Sequence, residues 1–279
     1  VKKNGISNLY LTVGDNGVSE TNTPACFSPQ SNNPNNKAKD LTTMNGKIHK
    51  FNMDGTIPSD NPLVGNSNGW LPSIWTIGHR NPQGLMYNYN SDVFYDVEHG
   101  DRTDDEINIL QAGKTYGWKE ARGYHDNNYA AETAYVSAYT PQFTGNTLIP
   151  AFYAWGDLTS GQIASLSSSN ASWPSVAPSD GIYYGKNSIP TFENSLLVVT
   201  LKNGFNVFGN DVNPEVYQFQ LGPNGQTLSN PTPIKYFTAD SVLNGSGSNK
   251  ARYRDIAISP DGTKIYLITN NGGSNQDKL

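Results

Sequence analysis

The chain has 279 residues, enough for one large all-β domain or two ordinary ones, and no composition shift or charged run divides it, so residues 1–279 read as a single domain. Charged residues make up 15% of it and hydrophobic ones 35%, with a formal net charge of -5. This balance argues against a nucleic-acid partner, because no Lys/Arg cluster could track a phosphate backbone, and no apolar run of roughly 18 residues offers a membrane span.

Gly, Asn, Ser, Thr, Pro and Tyr are abundant, which suits short strands joined by many turns: Gly and Asn tolerate left-handed turn conformations and Tyr fits half-buried strand surfaces. Cys26 is the only cysteine, so an internal disulfide and a Cys-rich zinc site are excluded. The opening VKKNGISNLYL has no signal-peptide pattern, and the chain is expected to begin inside a longer protein.

In chain order, strand character appears at 9–14, 47–52, 92–98, 181–185, 195–201, 215–221 and 265–269. An Asp/Asn-Gly turn followed by a strand recurs at Asp54-Gly55, Asn224-Gly225 and Asp261-Gly262, a weak repeat of the kind found in radial β-architectures. Hairpin sandwiches produce such a repeat too. The persistence of short strands without helical periodicity favours a propeller. Two segments break the rhythm, 16–44 and 120–180, and are expected to be long loops walling a site over one face.

Four motifs carry chemistry. In GHRNPQGL (78–85), Arg80 and Asn81 follow the apolar strand SIWTI and offer a guanidinium fork and an amide to an anionic or carbonyl-bearing ligand, or else form a turn with a surface arginine. In EHGDRTDDEIN (98–108) and the downstream ARGYHD, Asp104, Asp105, Glu106 and Asp126 supply hard oxygen donors of the kind Ca²⁺ takes in sets of about six to eight, or else a solvated acidic turn. Arg252 and Arg254 alternate along an expected strand and share a face, where they repel unless an anion or separate carboxylates intervene. Lys202 is a further cation at the end of an apolar strand, and with Arg80, Arg252 and Arg254 it could bind a polycarboxylate at the mouth of a propeller channel. His49, His79, His99 and His125 have no metal-ligand spacing, and no hydrolase elbow, Walker loop or dinucleotide fingerprint stands in a strand-turn-helix context.

The ordered set VGDNG (13–17), NGKIHKFNMDGTIPSDNP (45–62), GHRNPQGL (78–85), EHG (98–100), DDEIN (104–108), YGW (116–118), WPSVAPS (173–179), NSLLVVTLK (194–202) and RYRDIAISPDG (252–262) resembles the soluble quinoprotein sugar dehydrogenases of the glucose/sorbosone dehydrogenase family. The resemblance weakens between about 125 and 170. It implies an all-β, six-bladed propeller of four-stranded antiparallel blades, here incomplete and holding roughly the last four. It also implies pyrroloquinoline quinone (PQQ) and Ca²⁺ as cofactors, a sugar substrate, an external electron acceptor, a periplasmic or secreted location and a possible homodimer.

Carried over residue by residue, the resemblance makes Arg80 and Asn81 PQQ contacts, with Arg80 also catalytic, and assigns Lys202, Arg252 and Arg254 to the quinone and its carboxylates. Ser175 stands where a Thr contacts the cofactor and Trp173 matches an aromatic wall of the sugar pocket. Gly100 and Asp101 match two carbonyls that hold the catalytic Ca²⁺, with Asp101 in place of the family's Pro. Asp105, Glu106, Tyr116, Arg122, Tyr124 and Asp126 fall on the structural calcium region. Asp15 matches the carboxylate that orients the family's catalytic histidine, which is expected upstream of Val1, so residues 1–279 alone are expected to be inactive.

Two departures bear on the sugar. The family's cysteine pair is missing from IASLSSSNAS (163–172), and Ser19 and Glu20 replace a Gln-bearing pattern. The implied reaction is oxidation of an aldose at its anomeric carbon to a lactone. The rival reading is a non-catalytic, extracellular calcium-binding propeller, against which the joint presence of Arg80, Asn81, Lys202, Arg252 and Arg254 speaks. A calcium-dependent lactonase would need ligands converging on one central ion, whereas the acids here cluster on one loop.

Overall fold

A computed structural model describes residues 1–3, 6–15, 36–101, 103–129, 131–167, 174–201, 215–237 and 252–270. They group into two compact units, one built from 1–82, 110–153 and 157–170, the other from 83–109, 154–156 and 171–279.

In the first unit, β1 (Lys2–Lys3), β2 (Ile6–Val13), β3 (Lys47–Asn52) and β4 (Ile74–Ile77) form an antiparallel four-stranded sheet in chain order. The register pairs Val13 with Lys47 and Lys47 with Ile77, so the end of β2, the start of β3 and the end of β4 share one edge. Behind the sheet, Ile74 and Ile77 pack with Leu41 and Leu63. The buried ammonium of Lys47 donates to the carbonyls of Lys37 and Asn45 at 2.8 and 2.6 Å, pinning the 37–46 loop to the sheet.

The second unit holds β5 (Pro82–Asn88), β6 (Val93–Glu98), β7 (Asp105–Leu110) and β8 (Tyr153–Trp155) in one four-stranded sheet, and β9 (Pro178–Tyr184), β10 (Ser195–Thr200), β11 (Val216–Gln220) and β12 (Ile234–Tyr236) in another. A hairpin of β13 (Arg252–Ile258) and β14 (Ile265–Asn270) completes it. Tight turns follow β3, β11 and β13: in Asp54-Gly55, Asn224-Gly225 and Asp261-Gly262 the glycine has φ of 82°, 71° and 76°, and the preceding side-chain oxygen accepts the backbone N–H two residues on. β6 and β10 are buried along their whole length, as expected of inner strands covered on both faces, and Tyr184, Leu197, Val199, Val216, Tyr253 and Ile256 form one cluster.

Within 120–180, which the sequence presents as a long loop, two short helices form, α1 (Glu132–Ser137) and α2 (Ser160–Ser167). Each is too short to show a reliable periodicity. α1 is tied down by its first residue: both oxygens of the buried Glu132 carboxylate accept backbone N–H groups, of Arg122 at 2.9 Å and Asn127 at 2.7 Å.

Candidate active site

The edge shared by β2, β3 and β4 carries the first cluster. Past β2, Gly14 and Asp15 run against the turn that leaves β4: Asp15 donates its backbone N–H to the carbonyl of Arg80 at 2.7 Å, and a side chain at Gly14 would meet Asn81 Oδ1 at 3.0 Å. Gly46 has φ of 66°, and an added Cβ would lie 2.5 Å from Ala38 and 2.7 Å from the carbonyl of His79. Glycine is required there for the loops to approach this closely. Asp15, Arg80 and Asn81, distant in sequence, therefore stand together.

The carboxylate of Asp15 is 6% exposed, and its Oδ2 accepts from the indole Nε1–H of Trp118 at 2.6 Å and from Asn36 Nδ2 at 2.9 Å. The guanidinium of Arg80 lies over the Trp118 ring at 5.7 Å and that of Arg122 at 4.7 Å, with Arg122 also 4.1 Å from the Tyr129 ring. Nothing in the spacing of YGW signals this use of Trp118, because Asp15 and Arg80 come from parts of the chain far away in sequence.

The second cluster lies in the other unit, at the adjoining ends of β6 and β7. Asp105, the first residue of β7, is fully buried. Its Oδ1 accepts the N–H of Gly100 at 2.9 Å, and its Oδ2 accepts the Ser175 hydroxyl at 2.9 Å and the N–H groups of Val176 and Ala177 at 2.7 and 2.8 Å. The side chain of Asp105, grouped by sequence with the calcium ligands, is thus committed to joining two loops. His99 Nε2 lies 2.9 Å from the Pro178 carbonyl, and Ser179 donates to the Tyr253 carbonyl at 2.8 Å, which ties the loop after β6 and the start of β13 to the same stretch.

Oxygens crowd the turn after β6. A side chain at Gly100 would run into the carbonyls of Thr103 and Asp104, so the turn accepts only glycine and presents hard oxygen donors, the chemistry that suits Ca²⁺. Asp101 is half-buried in that turn. Glu106 is buried, and its carboxylate shares the amide of Asn108 with Glu98, at 3.1 and 2.9 Å.

The remaining residues of the expected calcium region belong to the first unit. Tyr116 is buried, its hydroxyl accepting the N–H of Gln111 at 2.9 Å and its ring stacked on His79. Arg122 is a buried cation engaged with two aromatic rings, so only its backbone could serve a metal. Tyr124 and Asp126 are exposed. Asp126 bears on Asp157: burial, then the hydrogen bond and charge of Asp126, push Asp157 up to about 6.

Along β13, Arg252 and Arg254 are both exposed with buried Tyr253 between them. The sequence leads one to expect a regular strand, but the register slips between Tyr253 and Asp255, and this bulge turns Asp255 outward as well. Among the described residues neither arginine forms an ion pair, and Asp255 instead shares a hydrogen bond with Asp180. Burial first, and that bond second, push Asp180 up to about 7. Trp173 and Lys202 lie outside the described residues.

The sequence matches the Glucose / Sorbosone dehydrogenase family over residues 1–276. It is 32% identical to quinoprotein glucose dehydrogenase B of Acinetobacter calcoaceticus, an alignment that covers 96% of this chain and 57% of that protein. It is 30% identical to the aldose sugar dehydrogenase YliI of Escherichia coli, over 85% of this chain and 52% of the other. Among solved structures, the soluble aldose sugar dehydrogenase of E. coli in its apo form matches with a TM-score of 0.62 at 24% identity, covering 98% of this chain and 59% of that one. The PQQ-bound aldose sugar dehydrogenase of Streptomyces coelicolor matches with a TM-score of 0.56 at 20% identity, over 98% and 55%. These two likenesses establish the fold, and the antiparallel four-stranded sheets agree with it. The chain spans a little over half the length of these relatives.

Proposed function

Because the chain belongs to the glucose/sorbosone dehydrogenase family, and its relatives include a quinoprotein glucose dehydrogenase and an aldose sugar dehydrogenase, we propose that it is part of a quinoprotein that oxidises an aldose at the anomeric carbon to a lactone. The observation that carries this reading is the convergence of Asp15, Arg80 and Asn81 at one sheet edge. By resemblance these are the residues that orient the base and meet the quinone. A six-bladed propeller of which this chain supplies roughly four blades, a periplasmic or secreted location, a homodimer and an external electron acceptor complete the proposal.

Taken residue by residue, the chemistry of the donors suits PQQ and Ca²⁺. Arg252 and Arg254 are exposed cations with no carboxylate partner among the described residues, the state in which arginines suit an anionic ligand. By family resemblance, these two arginines with Arg80, Asn81, Ser175 and Lys202 would meet the quinone, Trp173 would wall the sugar, and the carbonyls of Gly100 and Asp101 would hold Ca²⁺. When bound, the quinone accepts hydride and Ca²⁺ acts on it as a Lewis acid.

The chain's own residues then have separable tasks. Arg80, half-buried with its guanidinium over an aromatic face, stabilises negative charge that develops on an oxygen beside it. Asp15, buried and held by two donors, keeps an imidazole in the tautomer needed to take the sugar's hydroxyl proton. That imidazole is none of those already employed structurally: His49 bonds with Ser73 and Met44, His79 stacks on Tyr116 and bonds with Thr76, and His99 bonds with Pro178.

The test is sugar-dependent dye reduction by the full-length protein, with and without PQQ in the presence of Ca²⁺. PQQ-dependent turnover on an aldose is expected. Tight Ca²⁺ binding with no PQQ-dependent turnover on any aldose would overturn the proposal in favour of a non-catalytic calcium-binding propeller.

A further inference from the structure

We propose that Trp118 is a positioning residue of this site: its indole N–H fixes the carboxylate of Asp15 while its ring face seats the guanidinium of Arg80, so that one side chain places both groups. The proposal rests on the dehydrogenase reading above.

Four links close a circuit. The Trp118 Nε1–H donates to Asp15 Oδ2 at 2.6 Å in a buried setting. Arg80 lies over the ring at 5.7 Å. The backbone N–H of Trp118 donates to the carbonyl of Gly78 at 3.0 Å, at the head of the turn that carries Arg80. Asp15 returns its own N–H to the Arg80 carbonyl at 2.7 Å. An indole has a single donor, so its one hydrogen bond fixes the direction of the N–H axis; packing in a buried site then sets the ring plane, and the plane sets where a cation can rest on it.

Arg122, packed on the same ring at 4.7 Å and on Tyr129 at 4.1 Å, clamps the indole from its other contacts. The clamp leaves little freedom to tip the ring, since Trp118 is only 6% exposed. A tryptophan serving the core alone would need an acceptor for its N–H and apolar neighbours. Here the acceptor is the carboxylate assigned to the base, and the face carries the guanidinium assigned to the developing oxygen charge. Phenylalanine could replace the packing and the seat for the cation, but not the bond to Asp15.

This difference makes the roles separable by experiment. In the full-length protein with Ca²⁺, PQQ affinity by titration, kcat and Tm are measured for Trp118→Phe, Trp118→Leu and a Trp118 replaced by benzothienylalanine, which keeps the indole shape and lacks the N–H. The phenylalanine and benzothienyl variants are expected to bind PQQ within about twofold of wild type while kcat falls about tenfold or more. Trp118→Leu, which also removes the seat for Arg80, is expected to lose about threefold or more in PQQ affinity as well.

A benzothienyl variant with wild-type kcat would overturn the proposal, as would one that loses kcat, PQQ affinity and Tm together. Failure of the underlying reading looks different: the wild-type protein itself would neither bind PQQ nor turn over, and the proposal would fall with it.

Discussion

Ser175 donates its hydroxyl hydrogen to Asp105 at 2.9 Å, and through that carboxylate the loop beginning at Gly100 and the stretch 175–177 become one structural piece. A residue placed by resemblance at the cofactor and a turn placed by resemblance at the catalytic Ca²⁺ are thereby held in mutual register. Both oxygens of Asp105 are occupied, so its charge serves the scaffold.

Asp105→Asn replaces one acceptor oxygen by a donor, leaving either the Gly100 N–H or the three donors at Oδ2 facing another N–H. The expected cost is about 2–3 kcal/mol, because buried donors lose their acceptor. A fall in Tm of about 5 °C, read by calorimetry, checks it. A variant as stable as wild type would show that the two loops hold without this bracket.

Gly100→Ala tests the oxygen-lined turn. The added methyl has no room between the carbonyls of Thr103 and Asp104, so the turn must open. Calcium affinity, measured by isothermal titration, is expected to fall by about tenfold or more, while the far-ultraviolet circular dichroism stays that of wild type. Unchanged affinity would move the metal away from this turn.

The Asp180–Asp255 pair gives a pH prediction with a definite sign. With Asp180 pushed up to about 7 from an ordinary value near 3.8, the folded protein holds a proton that the unfolded chain releases between those values. Stability contributed by this group is present at low pH and lost as pH rises from about 4 to about 7. Asp180→Asn removes the loss, so its Tm relative to wild type is expected to rise across that interval and level off above it. A constant difference from pH 4 to 8 would show that the pair does not share a proton.

Arg252→Gln and Arg254→Gln address the cofactor directly. Both side chains are exposed and lack ion pairs among the described residues, so Tm should change little. PQQ affinity is expected to fall by about tenfold for each, with a weaker dependence on salt than in wild type, because a charge-assisted contact to a carboxylate is lost. Affinity and salt dependence equal to wild type would remove these arginines from the quinone site.

The sequence by itself determined the strand-and-turn grammar. The Asp/Asn-Gly turns form where the composition places them, because a left-handed glycine beside a side-chain acceptor is a local property. Inner strands such as Ser195–Thr200 were legible as apolar runs, and the motifs around Arg80, Gly100 and Arg252 were legible through family resemblance. The helix at Glu132–Ser137 was not, since it stands on a buried carboxylate capping a loop rather than on periodicity. Only the tertiary structure decided that Asp105 is a bracket, that Asp180 faces Asp255 across the bulge and that Trp118 meets Asp15. A hydrogen-bonding side chain has several possible partners, and which one it takes depends on strands and loops brought together from distant parts of the chain, where burial makes an unmade bond costly.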